Sequence, residues 1–130
     1  MTEQDFKAWT IIGFAATTFI WLAAAVTFGV GRRSTDTRNR WAGIRTKAAM
    51  HSPEAWAAAH KAAMTHIWVM GVGILPVGVI MLFFISSEPM MAGIIEMALL
   101  VACATWIVIA MVMGNNAAKA VAQEKVVYDD

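Results

Sequence analysis

Residues 52–85 read SPEAWAAAHKAAMTHIWVMGVGILPVGVIMLFFI, and this stretch decides the fold. Ser52 suits an N-cap, Pro53 the first helical position, and Glu54 puts an acid in the first turn. Nothing breaks a helical pattern from there to Met70, so one helix is expected to run from Pro53 directly into a membrane span over residues 66–85. At 1.5 Å per residue it would be on the order of 45–50 Å long, against roughly 30 Å of hydrocarbon. Its opening turns would therefore stand outside the bilayer. Pro76, with Gly71, Gly73 and Gly78 around it, removes one backbone hydrogen bond and predicts a kink. That kink reads either as a hinge or as a fixed bend whose freed carbonyl neighbouring helices satisfy.

Working outward, two more apolar runs appear. Residues 8–30 carry no charge and match the ~20 residues a spanning helix needs. Trp9 suits a headgroup-level aromatic belt, and Gly29, Gly31, Arg32 and Arg33 mark the helix end. Past the polar turn Ser86-Ser87-Glu88-Pro89, residues 90–114 form the third run, and residues 115–130 a polar tail. Residues 31–65 join the first two spans. Within them Trp41, Ile44, Ala48 and Ala49 recur at helical spacing, which predicts a short amphipathic helix in the headgroup layer. The expected fold is all-α: one integral membrane domain of three transmembrane helices, an amphipathic cytoplasmic segment and a long, kinked second helix.

Composition agrees. The chain has 130 residues, is 59% hydrophobic and only 15% charged, where a soluble domain carries about 25%. A net charge of +1 implies no bulk attraction to nucleic acid. Seven of the ten basic residues lie between Gly31 and His66, and two more in the C-terminal tail. By the positive-inside rule the central segment and C-terminus face the cytoplasm, and the N-terminus and the Ser86–Pro89 turn face out. The N-terminus MTEQDFK is not basic, and the first apolar run exceeds a signal peptide's core, so the first span is expected to persist. Cys103 lies within an apolar run and reads as a packing residue.

The polar residues 39–60 hold an ordered set: Asn39, then Gly43-Ile44-Arg45-Thr46, Ser52, Trp56 and His60. Gly43 permits a positive φ or a close approach. Arg45 offers a planar five-donor fork for a phosphate or carboxylate, with the Thr46 hydroxyl beside it. Trp56 and His60 share one helix face at i, i+4, and a folded-back loop would bring Arg45 near that face as a small pocket. The plainer alternatives stay open: arginines on the positive side, tryptophans in an interfacial belt, Arg45 paired with Asp36, Glu54 or lipid phosphate.

This ordered set resembles the SdpI family of bacterial membrane proteins, in which a segment of the same form lies between spans. The resemblance covers residues 39–64 and implies that Asn39, Gly43, Arg45, Thr46, Trp56 and His60 bind a ligand or partner. The family's namesake, which has additional spans, protects its producer from a secreted killing peptide and holds a transcriptional repressor at the membrane. A small protein giving resistance to a membrane-active peptide or toxin is thus implied, with a toxin peptide or a cytoplasmic regulator as partner. The alternative is an accessory subunit or assembly factor of a larger membrane complex, for which the ten methionines and the pair Ala98 and Ala102 would suit helix–helix contacts.

Other constellations are thin. His60 and His66 are six apart on one helix and no ligand set accompanies them, so no metal or cofactor is expected. No nucleophile–base pair, phosphate loop or paired acid is present, and no enzymatic activity is expected. Glu96 is the one ionisable residue well inside a span. An intramembrane acid is a functional-site candidate, for proton relay or a cationic group. Otherwise it would be a neutral carboxyl bonded to Thr10, Trp9 or Ser86, or paired with Lys7.

Overall fold

The computed structural model describes residues 1–33 and 43–128, excepting the side chains of 32, 33 and 125–128. Among these residues there are three α-helices: α1 (Glu3–Arg33), α2 (Pro53–Phe84) and α3 (Pro89–Tyr128). Each starts on a local signal. Thr2 and Asp5 form a reciprocal cap on α1, Thr2 N donating to Asp5 Oδ2 at 2.6 Å and Asp5 N to Thr2 Oγ1 at 3.3 Å. The Ser52 hydroxyl accepts Ala55 N–H at 3.1 Å and its carbonyl accepts Trp56 N–H at 3.0 Å, so Ser52 is the N-cap of α2. Pro89 opens α3 at a position where its missing N–H costs nothing, and Glu88 O accepts the first bond from Ala92 N.

All three helices are long and apolar enough to cross a membrane. Phe83, Val72 and Phe19 are 81%, 75% and 71% exposed, an arrangement that lipid tolerates and water does not. The chain is a multi-pass membrane protein. Pro76 stands inside an otherwise continuous α2, which at 32 residues spans about 48 Å.

One expectation is extended and one changes. The third span is read over residues 90–114, and the helix that carries it runs on through Asn115 and Asn116 into the polar tail, to Tyr128. Neither proline nor glycine follows Gly114, and Ala117, Ala118, Ala120 and Ala122 are strong helix formers. The amphipathic segment before α2 is, over its described part, a bend and a turn at residues 43–51 rather than a short helix. Met50 N bonds Thr46 O at 3.0 Å and His51 N bonds Ala48 O at 3.2 Å. It keeps two faces: Ile44 and Ala49 are buried, Arg45 and Lys47 exposed.

The residues form two compact units, residues 1–23 with 69–106 and residues 24–68 with 107–130. In each, segments of all three helices pack through small residues that let backbones approach. In the first unit Gly13 meets Glu96, Gly71 meets Trp21, Gly78 meets Phe14 and Gly93 meets Phe6. In the second, Ala55, Ala59 and Ala63 of α2 are fully buried, as are Ala110 and Ala118 of α3. There Gly114 packs on the Ala59 carbonyl and Ile44.

Candidate functional site

In the second unit the N-cap at Ser52 sets the phase of α2, so that Trp56 and His60 fall on its buried face. The Trp56 indole N–H donates to Gly31 O at 2.7 Å. Gly31 lies in the last turn of α1, where carbonyls have no partner within the helix; Trp56 therefore caps α1 from outside. His60 uses both ring nitrogens. Nε2 accepts Ile44 N–H at 3.0 Å, so Nδ1 carries the proton and donates to Trp56 O at 2.8 Å. This bonding selects the neutral Nδ1–H tautomer. The His60 ring also stacks obliquely on Trp56, centroids 4.2 Å apart, and faces Phe28 at 6.4 Å.

Two glycines make room for that ring. A Cβ on either Gly31 or Gly43 would collide with His60, and Gly43 also has φ +111°, a region side-chain-bearing residues rarely occupy. The result is a clamp: α1's end, the loop and α2 are tied through one tryptophan and one histidine.

Of the six residues singled out in the sequence, Gly43, Trp56 and His60 form this clamp. Thr46 holds the following turn, its Oγ1 accepting Ala49 N–H at 3.2 Å. Asn39 lies outside the described residues, as does Asp36. Arg45 is exposed and pairs with no described residue, Glu54 included. The loop does fold back as anticipated, but the contact runs through Gly43 and Ile44. Arg45 borders a different space, a groove of about 410 Å3. Loop residues 43–46 roof it, Thr27 and Phe28 of α1 wall one side, and Val108, Met111, Val112 and Asn115 of α3 the other. Asn115 Oδ1 is buried there without a hydrogen-bond partner. Gly31, Ile44 and Asn115 carry much of this arrangement and were not foreseen. Gly31 contributes a carbonyl, Ile44 an N–H and a buried side chain, and Asn115 looked like a helix end.

A model of the SdpI/YfhL protein family matches residues 36–114. The chain belongs to the SdpI/YfhL family. No curated protein and no solved structure matches it. The family match takes in the loop, all of α2 and α3 through Gly114, so it contains Gly43, Trp56 and His60. Gly31 and Phe28, the α1 side of the clamp, precede it.

Glu96 belongs to the first unit. It is fully buried and neither carboxyl oxygen has a hydrogen-bond partner. A methyl on Gly13 would stand 3.1 Å from Glu96 Cβ, and one on Gly78 would stand 3.1 Å from Oε1, so two glycines admit this side chain. The partners expected for it are engaged or exposed. Thr10 Oγ1 donates to Phe6 O at 2.9 Å, Lys7 Nζ sits 2.6 Å from Glu3 Oε1, and Trp9 and Ser86 are exposed.

Proposed function

We propose that this SdpI-family protein protects a bacterial cell against a membrane-active peptide or toxin. It would bind rather than catalyse, and would present its loop at the cytoplasmic face of the inner membrane. The observation that carries this reading is the clamp: Trp56 ties α2 to the end of α1, His60 fixes the loop backbone at Ile44, and the next residue, Arg45, has no counter-charge among the described residues and borders an apolar groove. A fixed cation at the headgroup level, next to an apolar cleft, suits an amphipathic ligand that enters or attacks the membrane. The family resemblance supports the protective role, and the excess of arginine and lysine around the loop supports its cytoplasmic placement.

The test is survival. Deletion should sensitise cells to the secreted peptide, and Arg45→Ala should reproduce the loss while the protein stays at its normal level in the membrane. Protection that persists in Arg45→Ala at equal abundance would sink the role given to this loop. A second reading has one supporting observation: Ala98 and Ala102, four apart on α3, are both exposed and so open to another helix. In that reading the protein is a subunit of a larger complex, and mild extraction would return stoichiometric partners without a sensitivity phenotype.

A further inference from the structure

The groove in the second unit has a polarity gradient. Along α3 it begins at Val108 and ends at Asn115, about 10 Å further along the axis. The lower part is apolar, with Phe28 opposite Val108 and Val112. The upper part carries Thr46, the unpaired Arg45 and the buried, unpartnered Asn115 Oδ1. Val108, Met111 and Val112 are each about half exposed (59%, 48% and 52%), so the apolar part opens sideways to whatever surrounds α3. Since α3 crosses the membrane, that surrounding is acyl chain. The loop is held through His60 and Trp56 at the end of α1, where the first charge-free run stops, and irregular backbone stays outside the hydrocarbon, which places Arg45 within reach of lipid phosphate.

We propose that this groove binds one anionic phospholipid whose headgroup carries a hydroxyl, of the phosphatidylglycerol kind. The phosphodiester sits on the Arg45 guanidinium, whose planar fork matches two phosphate oxygens. Asn115 lines the groove and its buried Oδ1 has no partner; a turn of that side chain would bring the oxygen to the headgroup hydroxyl and supply the donor it lacks. One acyl chain lies against Phe28, Val108 and Val112. A free water-soluble phosphate would use only the roof, and a zwitterionic lipid such as phosphatidylcholine would offer the same phosphodiester but bring its own cation beside Arg45 and no headgroup hydroxyl. The groove volume of about 410 Å3 falls in the range of small-molecule sites. This site rests on geometry alone and stands whether or not the protein has a protective role.

Native mass spectrometry of the purified full chain tests it, with phosphatidylglycerol, phosphatidylcholine and glycerol phosphate as probes. One phosphatidylglycerol should be retained in preference to phosphatidylcholine, and glycerol phosphate should not compete. Arg45→Ala should reduce that preference about five- to tenfold, the scale of one basic residue acting on an anionic lipid. Val112→Trp, at an exposed position, should fill the apolar part and reduce retention without altering helix content. Equal retention of both lipids overturns the proposal. So does a preference that survives both substitutions, and so does glycerol phosphate competing as well as the lipid. Should Arg45→Ala fail to fold, Val112→Trp and the wild-type preference still decide.

Discussion

Gly31 stands in the last turn of α1 and is packed against His60, which leads to a prediction with a change of sign. Alanine for glycine inside a helix ordinarily stabilises by roughly 0.5–1 kcal/mol. Here the added methyl would collide with the His60 ring, at Cδ2 and Nε2. Nε2 is the atom that accepts Ile44 N–H at 3.0 Å in a buried setting. Displacing the ring leaves that N–H without a partner, at a cost of about 1–3 kcal/mol. Gly31→Ala should therefore destabilise the protein by about 1–2 kcal/mol after the helix gain. In a His60→Ala background the ring is gone and Ile44 N–H is already orphaned. The same Gly31→Ala change should there be neutral or stabilising. Reversible unfolding in mixed micelles, followed by circular dichroism on the four members of the cycle, gives the coupling directly. If Gly31→Ala has the same effect in both backgrounds, the ring contact is not what makes glycine necessary, and the account of the clamp fails.

Further outcomes follow from the same geometry. Nitrogen-15 NMR of His60 should show the neutral Nδ1–H tautomer; a proton on Nε2 would contradict the Ile44 N–H bond. Trp56→Phe keeps the aromatic packing but loses the indole hydrogen bond to Gly31 O, and should lower unfolding stability by about 0.5–1.5 kcal/mol. Glu96→Met, a change of similar volume, removes two unpartnered carboxyl oxygens from the interior and should stabilise by about 1–3 kcal/mol in the same unfolding assay. A loss of stability there would mean that the carboxyl has a partner holding it.

The membrane architecture was legible because its signals are local. Apolar runs of spanning length, the Ser52-Pro53-Glu54 start and the Ser86–Pro89 turn are each read from neighbouring residues, and the helices begin where those signals stand. The apolar run ending at Gly114 did not give the length of α3, because Asn115 and Asn116 are only weak helix breakers and the alanines after them favour continuation. The segment around Ile44 shows a different limit. Its apolar spacing is helical, but Gly43 takes a positive φ and Ile44 N–H bonds His60 sixteen residues away. A tertiary bond thus takes the group a helix would have used, and no local periodicity reports a bond between a backbone N–H and a side chain sixteen residues on. The Trp56–Gly31 bond hides for the same reason: its acceptor is a backbone carbonyl, which every residue has.

The motif therefore combines two kinds of residue that sequence order presents as one. Gly43, Trp56 and His60 are bonded or packed inward and build the loop, whereas Arg45 is exposed and bonds no other described residue. Substituting the first kind removes the platform, so any lost protection would come with lost protein and would reveal no contact with a ligand. Substituting Arg45 breaks no bond that the fold uses, so a loss at constant abundance would point to recognition. The proposed role rests on that contrast, because a loop serving only to join two spans would have no reason to fix its backbone through a buried histidine while leaving the next guanidinium unpaired among the described residues.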